Sequence, residues 1–364
     1  MRIAVSIVLA LHGLICVMGF AKAFSLAELQ QLQLPISRPM GALWLVSALL
    51  LIASAVAFAT SASWCWAVAL AGAALSQIAI ISSWSDARFG TLGNLLAVLA
   101  SLYAAFAWGP FGLRAEFARR STQAASALPA ARLVSEQDLA PLPPQVQRYL
   151  RYVGVVGRAM PRLFRVRFNG RIRGSASDPW MQFNGEQLSL VRPATRLFVM
   201  RASRSGVPFD ALHVYDQNAA RMRVKLLSLF SMVDASGVEF SRTETVTIFN
   251  DLCIMAPAAL IDPSIQWRSI DDRSVEATFT NGPHTIRATL VFDGDGALSN
   301  FISDDRPALA ADNKTFTPQR WSTPIGAYRS MAGVRLASRG EARYHPQSGE
   351  YAYIEFSDLS VSYE

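Results

Sequence analysis

Phe164-Arg-Val-Arg-Phe-Asn-Gly-Arg-Ile-Arg173 alternates apolar and basic residues with a period of two. Successive side chains of a strand point to opposite faces. Phe164, Val166, Phe168 and Ile172 therefore share one face, and Arg165, Arg167, Arg171 and Arg173 the other. One buried face and one wet face mark an antiparallel strand. The alternation returns in Met222/Val224/Leu226 against Arg221/Arg223/Lys225, and again in Val275/Ala277/Phe279, Ile286/Ala288/Leu290/Phe292 and Ala352/Ile354/Phe356. Arg196–Arg201 and Leu212–Tyr215 also read as strands. Asp293-Gly-Asp-Gly296 marks a hairpin, and Gly174 to Asp178 and Asn281-Gly282 mark further turns.

Thr243–Met255 breaks the period. Val246, Phe249, Leu252 and Cys253 fall on one helical face, Ser241 or Thr243 can cap it, and Pro257 ends it. A second helix is expected after Pro141, Pro143 and Pro144, where Val146, Tyr149, Leu150 and Val153 keep helical spacing. Residues 146–364 thus read as a mostly antiparallel, curved, half-barrel-like sheet with one or two packed helices. That is about 220 residues, enough to bury a sizeable core.

The preceding third is of another kind. No charge occurs from Ile3 to Ala21, from Pro39 to Ser85 or from Phe89 to Leu113. A helix needs about 20 apolar residues to cross a bilayer. Four spans are expected near 3–21, 41–59, 64–83 and 92–111, making residues 1–113 a transmembrane region and the whole chain α+β. Trp44, Trp64, Trp66, Trp84 and Trp108 fall near the span ends, as interfacial anchors do. Ala21-Lys22-Ala23 has the form of a leader-cleavage site, but the n-region charge is Arg2 alone, so this stretch is read as a retained span. His12, Ser76 and Gln77 lie inside spans, as functional groups or as hydrogen bonds between helices. Residues 114–145, small and polar and then proline-rich, read as a tether.

Charged residues make up only 17% of the chain against 51% hydrophobic, which excludes a disordered protein and argues against a fully soluble one. Cys16, Cys65 and Cys253 are too few for a disulfide scaffold or a four-cysteine zinc module. The net charge of +7 hides a basic stretch, 148–225, and an acidic one, 226–364. The two can attract one another within one fold. Alternatively, the basic part faces anionic headgroups. No nucleic-acid motif accompanies the charge, and no nucleic-acid partner is expected. Arg114, Arg119 and Arg120 after the last span tilt the second domain weakly towards the cytoplasmic side of a bacterial inner membrane, without excluding the periplasm.

There is no G-x-S-x-G, H-E-x-x-H, Walker loop or G-x-G-x-x-G. His213, His284 and His345 are far apart, so no metal and no cofactor are expected. Asp271-Asp272 and Asp304-Asp305 point to opposite faces of extended chain. Cys253 sits on the apolar helix face as a structural thiol. The residues expected to line a half-open cup are Glu244, Asn250, Asp251, Trp267, Arg306, Trp321 and Tyr328. Arg165, Arg167, Arg171 and Arg173 are the expected headgroup or surface contacts.

Leu11-His-Gly-Leu-Ile15 to Gly19-Phe20, Ser83–Gly90, Glu244–Cys253, Ala256–Leu260 and Trp321-Ser-Thr-Pro324 resemble a family of uncharacterised bacterial membrane proteins. The resemblance covers nearly the whole chain and implies this architecture with no activity. It also implies a histidine in some relatives where this chain has Cys16. A looser likeness, of fold alone, is to envelope lipoprotein carriers that hold acyl chains in a half-barrel. It favours a periplasmic domain, against the charge count. Three functions stay open: a module binding a lipid or other apolar ligand, a structural or regulatory anchor for an unknown protein partner, and a membrane-surface hydrolase using Glu244, Asp251 or His213.

Overall fold

A computed structural model describes residues 2–126, 132–310 and 312–364. The chain divides into two compact units, Met1–Glu116 (with Leu227–Leu229) and Phe117–Leu226 with Phe230–Glu364.

In the first unit run α1 (Arg2–Ala23), α2 (Arg38–Ala59), α3 (Cys65–Ser82), the single turn α4 (Trp84–Ala87) and α5 (Gly90–Ala107). Among the described residues, the four longer ones are long and apolar enough to cross a membrane. α1 packs on α2 and α5, and α3 on both α2 and α5. Pro39 opens α2, where no amide donor is needed, and Ser37 Oγ accepts from the Met40 amide at 3.4 Å. Small residues permit close approach: a Cβ on Gly19 would come within 2.4 Å of the Trp44 ring. Four polar side chains of these helices bond to one another. His12 Nε2 lies 2.7 Å from Asn94 Oδ1, Asn94 Nδ2 donates to Gln77 Oε1 at 2.9 Å, and Gln77 Nε2 donates to Thr91 Oγ1 at 3.2 Å. This chain ties α1, α3 and α5 together. The fourth apolar helix stops at Ala107 rather than 111, just ahead of Gly109-Pro110.

The stretch read as a tether is ordered over most of its length, although 127–131 lie outside the described residues. Leu113–Ala125 forms α6, rich in good helix formers, and its Phe117, Ala124 and Ala125 pack on Leu163, Leu188 and Leu197. A capping box of Ser135 and Asp138 starts α7 (Glu136–Leu139), and Val134, Leu139 and Leu142 are buried in the main core. α8 (Pro144–Val153) buries Val146, Tyr149, Leu150 and Val153 and ends on Gly154 at φ 79°.

The strands are β1 (Leu163–Ile172), β2 (Met181–Leu190), β3 (Thr195–Arg204), β4 (Val207–Asp216), β5 (Ala219–Leu226) and β6 (Phe230–Ser236). After α9 (Val238–Met255) follow β7 (Ile265–Asp271), β8 (Ser274–Asn281), β9 (His284–Phe292) and β10 (Leu298–Ser303). β11 (Ala308–Leu309) and β12 (Phe316–Thr317) form a small separate ribbon. β13 (Arg320–Met331), β14 (Val334–His345) and β15 (Tyr351–Tyr363) complete the set. One curved, unclosed antiparallel sheet has the order β6-β5-β4-β3-β2-β1-β15-β14-β13-β10-β9-β8-β7. Two meanders therefore meet where β1 pairs with β15, and α9 connects the outermost strand of one to the outermost strand of the other.

α9 begins at Val238, five residues before Thr243, after Gly237 at φ 119°, a conformation only glycine adopts freely. Ser241, expected as a cap, instead donates to Gly237 O at 2.7 Å and accepts from the Ala220 amide at 2.9 Å. Fifteen of its eighteen residues are buried, polar ones included. The expected apolar face packs against the second meander: Phe249 stacks on Phe279 at 4.9 Å and meets Phe301 edge-on at 5.7 Å.

Candidate ligand cavity

The other face of α9 looks across a cavity of about 570 Å³ towards the first meander. Strand period two builds its wall. Phe198, Met200 and Ala202 from β3, Ala211 from β4, and Met222 and Val224 from β5 all point inward. Phe168 and Ile172, from the strand that opened the sequence reading, line it as well. Methionines such as Met200 and Met222 are flexible and can adapt to the shape of a guest.

One end is polar. Arg306 donates to Glu244 Oε1 at 3.2 Å, to Thr247 Oγ1 at 3.0 Å and to the Tyr344 hydroxyl at 2.6 Å, while its guanidinium lies 4.7 Å from the centre of the Trp321 ring. Arg196 donates to Asp251 Oδ2 at 2.8 Å and to His213 Nδ1 at 3.0 Å. Because an arginine only donates, His213 Nδ1 is the acceptor, and the neutral ring carries its proton on Nε2. That nitrogen lies 3.2 Å from Glu244 Oε2, an ion-pair distance, yet without the alignment of a hydrogen bond. Gln187 Nε2 donates to Asp251 Oδ2 at 2.8 Å, and Thr323 Oγ1 donates to Asn250 Oδ1 at 2.6 Å.

Burial works against ionising Glu244, but Arg306, His213 and Arg196 outweigh it and hold the carboxyl well below the usual range. Burial pushes the His213 ring below its ordinary value. Glu244 pulls it back, while Arg196 and Arg306 lower it further. A carboxylate so strongly stabilised is a poor proton acceptor, so the cluster favours holding over proton transfer.

Of the residues expected in the cup, Glu244, Asn250, Asp251, Arg306 and Trp321 line this cavity. Trp267 does not: it lies on β7, 6.5 Å from Phe249, in the packed half. Nor does Tyr328, whose hydroxyl donates to Leu298 O at 2.8 Å and whose ring meets Tyr152 of α8 edge-on. Arg165, Arg167 and Arg171 are spread along the outer side of β1, and Arg173 follows its last residue. Arg165 pairs with Glu364 at 2.9 Å, Arg171 with Glu355 at 2.6 Å, and Arg171 and Arg173 both cover Trp180, while Arg167 is exposed. Arg173 also reaches the cavity lining. Sequence reasoning missed Gln187, Arg196 and Tyr344. Arg196 leaves a trace, a charge inside an otherwise apolar run. Among the described residues, no three His, Cys, Asp or Glu side chains converge to hold a metal.

A model of a family of unknown function matches residues 132–356, which is the whole sheet up to β15. The chain belongs to the DUF6544 family. The DUF6544 match begins after the four apolar helices and falls on the cavity-bearing unit. No curated protein matches the chain. Among solved structures, it is similar to a DUF1329 family protein from Desulfovibrio piger, at 11% identity and TM-score 0.37, over 60% of this chain and 92% of that one. It is also similar to a LolA superfamily protein from Nitrosomonas europaea, at 9% identity and TM-score 0.29, over 63% of this chain and 94% of that one.

Proposed function

We propose that this DUF6544 protein is a membrane-anchored module that binds a lipid or other apolar ligand in the cavity between α9 and the first meander. One observation carries the reading: a void of about 570 Å³, inside the usual ligand range of about 300–1,000 Å³, has apolar walls and one hydrogen-bonded polar end. Four apolar helices on the same chain would anchor it in a bilayer, a reservoir of apolar ligand. We place the protein in the bacterial inner membrane with this domain on the cytoplasmic side, on the strength of Arg114, Arg119 and Arg120. A C-terminal reporter fusion, fluorescent only in the cytoplasm and compared with one active only in the periplasm, tests the side.

The binding test uses the full chain purified in detergent. Native mass spectrometry should find a lipid retained by wild type and lost from Met200→Trp, which fills the void from its wall. Equal retention by both would move the lipid to the apolar helices and remove the cavity from the function.

A further inference from the structure

Gln187 is 2% exposed and lines the cavity. Its Nε2 donates to Asp251 Oδ2 at 2.8 Å and to Ser189 Oγ at 3.0 Å. A carboxylate accepts only, so the amide cannot be turned round. Its Oε1 is thereby fixed on the other side, buried and with no donor. His213, 4% exposed, is already engaged: Arg196 occupies Nδ1, and Nε2 lies 3.2 Å from Glu244 Oε2. The two side chains end one continuous chain, Gln187–Asp251–Arg196–His213. Buried polar atoms are nearly always partnered. A lone acceptor, Gln187 Oε1, on a side chain of the cavity lining marks where a ligand head is received.

The charges of this end are matched, Arg306 with Glu244 and Arg196 with Asp251. A carboxylate head only accepts, so it leaves Gln187 Oε1 unmet and adds negative charge beside two carboxylates. A trimethylammonium head offers no donor. A hydroxyl donates without carrying charge, and so answers Gln187 Oε1. We propose that the cavity takes a single-chain amphiphile whose head is uncharged and bears hydroxyl groups, as in an acylglycerol. This rests on the apolar-ligand reading above and adds the identity of the head.

The test exposes the full-length protein in detergent to photoactivatable diazirine analogues of 1-oleoylglycerol, oleic acid and propyl oleate. Propyl oleate has the glycerol ester's outline without its hydroxyls. Adducts are mapped to peptides by mass spectrometry, which separates those on β3–β5 from those on the apolar helices. Cavity labelling by the glycerol ester should exceed that by the other two by about tenfold, the value of one buried hydrogen bond. In Gln187→Met the preference should collapse towards equality while oleate labelling persists. Equal cavity labelling of wild type by the three probes would overturn the assignment of the head and leave the cavity as a site. Cavity peptides bare with all three would overturn the apolar-ligand reading itself. If Gln187→Met fails to fold, the wild-type comparison of glycerol and propyl esters still decides.

Discussion

On the β7–β10 side, Val275, Ala277, Phe279, Leu290 and Phe301 close on α9 as a packed core. On the β2–β6 side, Phe198, Met200, Ala211 and Met222 face the same helix across a void. Both walls are apolar and both alternate with period two, so the sheet does not explain the difference. The helix does. Its Val246, Phe249, Leu252 and Cys253 face fits an apolar wall, whereas Glu244, Thr247 and Asp251 cannot be pressed onto one without losing their partners. Arg306 and Arg196 satisfy them at one end, and the wall beyond stays uncovered.

The largest expected effect tests that anchoring. Arg306→Met strands the Glu244 carboxylate in the interior and should cost about 3–5 kcal/mol. Adding Glu244→Gln should return much of it. Thermal unfolding of the full chain in detergent reads both. A single variant as stable as wild type would mean that the polar end is not held by this pair.

The two halves should also answer truncation differently. Phe249→Ala removes a ring that is fully buried between Phe279 and Phe301 and should cost about 3–5 kcal/mol. Phe198→Ala removes a ring that borders empty space and should cost about 1 kcal/mol. Similar losses at the two sites would show that the first meander is as filled as the second.

Enlargement reverses the comparison with a smaller amplitude. Ala277→Leu overpacks the filled half and should cost about 1–3 kcal/mol. Ala211→Leu projects into the void, so stability should stay within about 0.5 kcal/mol while cavity volume falls. The same unfolding assay settles it, and a costly Ala211→Leu would contradict the void.

Physical reasons decide how much of this was legible in the sequence. β1 was plain because arginines fill its outer face. β3 was plain as a strand, but its side was not. Leu197 and Val199 are as apolar as Phe198 and Met200, since α6 covers the outer side around Leu197. Arg196 therefore gave no sign of which way it points. Glu244, Asn250 and Asp251 stood out as polar positions on an apolar helix. Trp321 and Trp267 looked alike, because composition cannot say which tryptophan of the second meander borders the cavity and which packs into the core. Gln187 needed the register that sets β2 against β3, a long-range fact. The ordered 132–145 was read as a tether because proline and small residues dominate it, although Val134, Leu139 and Leu142 were already apolar enough to dock.

The smallest effect separates the halves by pH. His213 is held below its ordinary value of 6.5, so the folded state keeps the ring neutral where the unfolded chain would protonate it. Its contribution to stability is complete above 6.5. It fades as pH falls below that value, by at most about 1.4 kcal/mol per pH unit, until the buried ring is protonated as well. Glu244 acts in a lower window. Its carboxyl is depressed from 4.5, so its contribution is intact above 4.5 and wanes only beneath. Between those two values the difference between wild type and His213→Gln isolates the imidazole, because the glutamine does not titrate. The wild-type advantage should shrink from pH 7.5 to pH 5.5, whereas Phe249→Ala, in the half without this cluster, should keep a constant deficit. Parallel pH curves for wild type and His213→Gln would mean that the ring is not kept neutral in the fold, and the donor assigned to its Nε2 would be lost with it.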